Sequence, residues 1–285
     1  MRSLLLCLAT VLSLTVWTCV AAAVPSACDA LVGAQRKQAD EILQSQHAYD
    51  CCDGTLAECL KRKPVCKLVR RLSDDVCRRV ADGQSRADIE RELARRATSM
   101  MPAGTTYPID TRNAPVAGSA DAKVTVVAYL CPRCPYCARL EPKLYQSVTS
   151  GKLAGKVKLL VRMFPVRNHP GSTEAGLALL AAAKLGKFWE FLRHLYQDFD
   201  HFDAAHLDDV AVAEGLERKK FSELSQDPAL RQQLVDSKKE GVKNTVEATP
   251  TLFINGRKYV GDMSLNALQD VLEEEYDRVT GKQNE

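Results

Sequence analysis

Apolar residues recur at helical spacing through residues 29–101, and beyond that stretch the period changes. The first stretch is the pattern of an all-helical unit. It predicts a helix over about Ala30 to His47 and a short one near Thr55 to Lys61. A third helix, with Pro64 suited to its first turn, carries Val65, Leu68, Val69, Leu72, Val76 and Val80 on one face and stops at Gly83. Ser85 and Asp88 form a capping-box-like pair that opens a fourth helix, whose buried face is marked by Ile89, Leu93 and Ala97. Residues 102–119 hold Pro102, Gly104, Pro108, Pro115 and Gly118 and lose the periodicity, so they read as a linker, with Tyr107-Pro108-Ile109 as an added edge strand.

From residue 120 onward strands and helices alternate. The β-branched run Lys123 to Leu130 predicts a strand, Tyr136 to Ser150 a helix and Val157 to Phe164 a second strand. A long helical stretch over about 172–245 follows, broken at Gly186, Asp200, Gly215 and Asp227-Pro228. Thr251–Ile254 and Lys258–Val260 flank Asn255-Gly256, a hairpin-turn dipeptide. A last helix begins at Ser264. The fold class is α/β with an inserted helical domain, preceded by a small all-α, cysteine-rich domain at 24–101.

The first residues change the picture. Arg2 precedes an apolar run from Leu4 to Val20 and then Ala21-Ala22-Ala23, the layout of a secretory signal cut after Ala23. Pro25 argues against a lipid anchor at Cys28. The expected location is periplasmic or otherwise exported, with no membrane span once the signal is removed. The formal net charge of +3 on 285 residues makes no electrostatic case for nucleic acid as a partner. Of 11 cysteines, Cys7 and Cys19 leave with the signal. Cys28, Cys51, Cys52, Cys59, Cys66 and Cys77 fall in or beside the helical unit, where they predict structural staples for a thin core; fifteen pairings are open. Arg70-Arg71, Arg78-Arg79 and Arg95-Arg96 interleave with acids and predict a solvated mixed-charge surface.

The candidate chemistry lies in Cys131-Pro132-Arg133-Cys134-Pro135-Tyr136-Cys137, between the first predicted strand of the second domain and its first helix. A C-x-x-C at a helix start is a thiol–disulfide arrangement. Cys134 can aim its sulfur at unpaired backbone N–H groups, which favour the thiolate. Pro135 suits the first turn, and Cys137, one turn on, can close a ring. Cys131 stays open between a second C-x-x-C with Cys134, a third relay thiol and plain packing. Neither paired histidines nor a fourth ligand supports a metal or cluster, and no C-x-x-C-H carries haem, so no cofactor is expected. His169, His194, His201 and His206 read as surface or core residues, and Phe188, Trp189, Phe191 and Leu192 as core.

The motifs VTVVAYLCPRCPYCARLEP, MFPVRNHP, GKFWEFLRHLY and EATPTLFINGRKYVG, in that order over about residues 120–281, resemble the DsbA-like branch of the thioredoxin superfamily. The resemblance implies a thioredoxin-like fold with Cys134 as nucleophile and Cys137 as resolver. It implies a helix kink at Pro142, and Thr249-Pro250 as a cis-proline loop offering backbone groups to an extended substrate. It also implies an apolar groove built partly from the helical insertion. Pro-Tyr between the cysteines and Thr before the proline resemble the isomerase and reductase side more than the oxidase. The family's acidic residue before the motif is replaced by Cys131. A second resemblance, of RRLSDDVCRRVADGQSRADIERELARR to the CcmH-type helical hairpin, lacks that family's C-x-x-C. Together these imply an exported thiol:disulfide oxidoreductase acting on protein cysteines with a redox partner protein. The alternatives are a non-enzymatic chaperone or scaffold, whose helical unit holds a partner or makes a homodimer, and a dedicated apocytochrome c thiol reductant.

Overall fold

The computed structural model describes residues 26–101 and 103–282; the expected signal at 1–23 lies outside the described residues. The helical unit holds α1 (Gly33–Ser45), α2 (Leu56–Cys59), α3 (Lys67–Ala81) and α4 (Arg86–Met100), after a 3-10 turn at Ala27–Ala30. Thr55 and Glu58 cap α2 reciprocally, and the Ser85 hydroxyl accepts the Asp88 N–H at the start of α4. Pro64 does not open α3: it lies three residues ahead of Lys67, after a cis Lys63–Pro64 peptide.

Three disulfides close the unit: Cys28–Cys77, Cys51–Cys66 and Cys52–Cys59. They staple a core built on Ile42, Leu56, Val69, Val76 and Ile89. The Cys28 sulfur is therefore engaged with Cys77.

The second domain is a five-stranded sheet of order β1-β3-β2-β4-β5, with β1 (Val116–Ala117), β2 (Val124–Leu130), β3 (Val157–Met163), β4 (Thr251–Ile254) and β5 (Arg257–Tyr259). Strands β2 and β3 are parallel and the other pairs antiparallel. Helix α5 (Pro135–Thr149) makes the β2–β3 crossover. Helices α6 (Ser172–Lys184), α7 (Phe188–Gln197), α8 (Leu207–Ala213), α9 (Arg218–Ser225) and α10 (Pro228–Lys243) form the insertion, and α11 (Leu265–Val279) ends the fold. The breaks fall where Gly186, Gly215 and Asp227-Pro228 placed them. The edge strand is not Tyr107–Ile109. Thr106 makes only an isolated bridge to Arg257, and the regular edge is Val116–Ala117, within the stretch read as linker.

Central strand β2 is covered on both faces, which accounts for its unbroken apolar run. Val124, Val126, Ala128 and Leu130 share a core with α5 and α11; Val127 and Tyr129 face the other way, with Phe164 and Phe253. Gly241 lets α10 approach that second face, since a Cβ there would lie 2.7 Å from the Phe164 ring. No described helix is long and apolar enough to cross a membrane.

The arginine pairs correct the solvated-surface reading. Arg70 and Arg95 are exposed, but Arg71, Arg79 and Arg96 point into the seam between the helical unit and the second domain. Arg96, 4% exposed, meets Asp270 at 2.8 Å and Glu274 at 2.7 Å on α11. Arg71 reaches Asp277 at 2.7 Å, and Arg79 reaches Asp262 at 3.0 Å. The interleaved acids made both arginines of each pair read as solvated, because the partners of the buried ones lie far along the chain. Removing one member of a buried network strands the others uncompensated. Arg96→Met is expected to lower unfolding free energy by roughly 3–5 kcal/mol in urea denaturation, whereas Arg95→Met changes it by less than about 1.

Candidate active site

The site forms where β2 ends. Leu130 closes the strand, residues 131–134 turn, and Cys134 becomes the N-cap of α5 with Pro135 as the first helical residue. No side chain caps this helix, so its first N–H groups face the Cys134 sulfur. Pro142, inside α5, lacks the N–H that would have bonded the Ala138 carbonyl. From the other side of β2 comes the lead-in to β4, where Thr249–Pro250 is cis. The pairing of Tyr129 with Thr251 fixes how far that loop stands from the end of β2. The Cys134 sulfur lies 3.1 Å from the Thr249 carbonyl, to which it donates only when protonated.

The electrostatics separate the two cysteines. The Cys134 thiol is held down at about 5, first by the Cys137 thiol donating to it, against the opposing cost of burial, and then by the Thr249 hydroxyl and the N–H groups of Cys137 and Tyr136. The buried Thr249 hydroxyl has no other partner, which leaves it free to donate to a thiolate. Burial pushes the Cys137 thiol well up, and its bond to Cys134 adds to that. One sulfur is thus a thiolate at neutral pH and the other keeps its proton. The sequence argument wanted an accessible nucleophile, yet Cys134 is only 2% exposed, because the Thr249–Pro250 loop stands over it. Tyr136, between the two, is 64% exposed. Beside it lies a pocket of about 360 Å³ lined by Tyr136, Arg139, Leu140, Lys143, Pro250, Met263 and Leu265. This pocket is built by α5, the cis-proline loop and the lead-in to α11.

Four neighbours of the thiols escaped sequence reasoning. Arg133 stacks its guanidinium on Phe199 and Phe202, at 4.4 and 4.2 Å, and donates to the Phe199 carbonyl at 2.7 Å, tying the catalytic turn to the insertion. The Tyr196 hydroxyl donates to the Cys131 carbonyl at 3.3 Å. His169 brings Nδ1 to 3.3 Å from the Cys131 sulfur, so it is not a bystander. His194, His201 and His206 instead pair with Glu214, Asp198 and Asp203. Glu141, one turn after Cys137, is buried with both carboxylate oxygens unpartnered, and burial pushes it up to about 8. Its spacing from Cys137 was the available signal: residues 137, 140, 141 and 144 form one buried stripe. Cys131, Cys134 and Cys137 are all free thiols, and all are buried.

Comparison with known proteins gives the same picture of the second domain. The family described as thioredoxin matches residues 110–274, so the whole helical unit lies outside it. A thioredoxin-like oxidoreductase from Silicibacter pomeroyi superposes with a TM-score of 0.50 at 25% identity, covering 57% of this chain and 92% of its own. BdbD from Bacillus subtilis gives 0.52 at 23%, covering 62% and 98%, and the catalytic domain of ScsC from Proteus mirabilis gives 0.51 at 20%, covering 65% and 97%. Among curated relatives, a protein named Na(+)/H(+) antiporter NhaA 1 from Mycolicibacterium gilvum is 30% identical over 172 residues, which are 58% of this chain and 27% of that one. One named NhaA 3 from Salinispora tropica is 31% identical over 162 residues, 56% and 24%. The chain spans about a quarter of the length of these relatives.

Two pH measurements check the electrostatics. Because the Cys134 thiol is depressed, its thiolate is present above about pH 5 and lost below, so iodoacetamide alkylation of the reduced protein is expected to rise through that midpoint and be flat by about pH 7; a midpoint near 8.5 contradicts it. Glu141 carries the opposite sign. Its raised value means the folded protein holds a proton that the unfolded chain gives up above about pH 4.3, and the resulting cost grows until pH passes about 8. Glu141→Gln is expected to leave Tm nearly unchanged at about pH 4 and to raise it most near pH 9.

Proposed function

The chain belongs to the thioredoxin family, and from that premise we propose that it is an exported thiol:disulfide oxidoreductase of the DsbA-like kind, exchanging disulfides with cysteines of protein substrates. The observation that carries the reading is the Cys134 sulfur at the start of α5, poised as a thiolate against the cis Thr249–Pro250 loop. The three disulfides of the helical unit support an oxidising compartment.

The Cys134 thiolate attacks one sulfur of a substrate disulfide. That S–S bond breaks, the second substrate sulfur leaves as a thiolate, and a Cys134–substrate disulfide forms. Cys137 then loses its proton and attacks the Cys134 sulfur, closing Cys134–Cys137 and releasing the reduced substrate. Alternatively the substrate's own thiol resolves the intermediate, which is isomerisation. The substrate reaches Cys134 as an extended segment along Thr249 and Pro250, with neighbouring side chains in the Tyr136–Met263 pocket.

We favour isomerase or reductase action over oxidase action. The Pro-Tyr dipeptide and Thr249 support it, and a standing thiolate at neutral pH is what attack on a substrate disulfide requires. The same depressed thiol favours a second reading, as an oxidase, because stabilising the reduced form makes the disulfide more oxidising. The CcmH-type alternative is weakened because Cys66 and Cys77, around the α3–α4 hairpin, are both committed to disulfides. Sodium–proton exchange is named for relatives of which the match covers only 27% and 24%, and it is not carried over.

Reactivation of scrambled ribonuclease A tests the proposal. Wild type is expected to speed recovery, and Cys134→Ser to fall to the uncatalysed rate. Cys137→Ser keeps part of the activity under isomerase action and loses it under oxidase action. Full activity in Cys134→Ser contradicts the assignment. Equal recovery with all free thiols alkylated identifies a non-enzymatic chaperone instead.

A further inference from the structure

The two-thiol cycle leaves one thiol of the site without a task. Cys131 follows β2, is fully buried, and lies on the opposite side of Cys134 from Cys137 in sequence. Two contacts set it apart from a packing residue. The Cys134 N–H donates to the Cys131 carbonyl at 3.1 Å, which makes 131–134 a four-residue turn. The first and fourth Cα atoms of such a turn lie within about 7 Å, and a disulfide needs about 4.4–6.8 Å. Its carbonyl is also held by the Tyr196 hydroxyl, which fixes the turn. The second contact is His169, whose Nδ1 is 3.3 Å from the Cys131 sulfur. The imidazole is part-exposed and the sulfur is not, so the ring joins a buried thiol to solvent. His169 is positioned by its loop, its N–H donating to the Val166 carbonyl and its carbonyl accepting from Ser172.

Resting on the disulfide-exchange reading above, we propose that Cys131 is a second resolving thiol and His169 its proton acceptor. With a substrate sulfur bound to Cys134, His169 takes the Cys131 proton and the Cys131 sulfur attacks the Cys134 sulfur. The Cys131–Cys134 bond forms and the Cys134–substrate bond breaks. The substrate cysteine is reduced and leaves as a thiolate, which takes the proton from the imidazolium. Cys137 then loses its proton and attacks the Cys134 sulfur; the Cys131–Cys134 bond breaks, the Cys134–Cys137 disulfide forms, and Cys131 leaves as a thiolate that takes up the proton. No outside oxidant or reductant enters. Burial pushes the thiols of both Cys131 and Cys137 up, and Cys131 has an imidazole in contact to take its proton. The second route frees an intermediate that Cys137 is slow to resolve.

The test gives each reduced protein about one equivalent of dithionitrobenzoate and counts the thionitrobenzoate released. Attack by Cys134 releases one equivalent, and resolution releases a second. Wild type is expected to release about two. Cys137→Ser is expected also to release about two, leaving a Cys131–Cys134 disulfide found by peptide mapping, whereas Cys131→Ala/Cys137→Ser stops at one. In the Cys137→Ser background, His169→Gln is expected to slow the second release at least tenfold while leaving the first unchanged. A stop at one equivalent in Cys137→Ser overturns the proposal, and an unchanged second release in the His169→Gln background removes His169 from it. Failure of wild type to release the second equivalent, or full reaction by Cys134→Ser, would instead bring down the two-thiol reading beneath it.

Discussion

The position of one sulfur atom at the end of the central strand governs the rest of the site. Strand β2 is paired on both sides and buried on both faces, so its last residue is fixed by the whole sheet. One turn later Cys134 sits at the start of α5, where backbone N–H groups have no partners within the helix. The same strand pairs with β4, whose entry carries Thr249–Pro250, so one register places both the thiolate and the loop above it. A sulfur moved by one residue would lose the helix end and the loop together. The depressed thiol of Cys134 and the retained proton of Cys137 are consequences of this placement.

The helical unit bears on the same core through α11. That helix packs on β2 and α5 on one side and on α3 on the other. Its acidic residues receive Arg71 and Arg96 from the helical unit, with Asp270 shared between them. Such a seam binds weakly for the charge it buries but tolerates few relative positions, because each arginine must meet carboxylates at fixed points. The three disulfides hold the unit's short helices in the shape that presents those arginines.

Much of this was legible because it is local. A β-branched run, a C-x-x-C before an apolar helix and an Asn-Gly between two short strands each declare themselves within about ten residues. The motif resemblance then joined Thr249-Pro250 to the cysteines across more than a hundred positions. What stayed hidden depends on folding distant segments together. Pairing Cys51 with Cys66 and its neighbour Cys52 with Cys59 is a matter of which way two adjacent side chains point, and composition carries none of that. The seam arginines looked like solvated charge because their partners lie on the last helix. His169 read as a surface or core histidine because the contact with Cys131 spans 38 residues. Glu141 could have been found, since it shares a helical face with Cys137, but a glutamate beside a proline reads as surface.

The central claim is that Cys134 and Cys137 form the redox couple while the cysteines of the helical unit hold its fold. Thiol mapping by mass spectrometry across a series of glutathione potentials tests it most directly. Cys134 and Cys137 are expected to change together as a single two-electron couple, at a potential well above that of the Cys28–Cys77, Cys51–Cys66 and Cys52–Cys59 disulfides, which stay closed throughout the series. A Cys134 that remains a thiol while the helical unit's disulfides open and close would contradict the account.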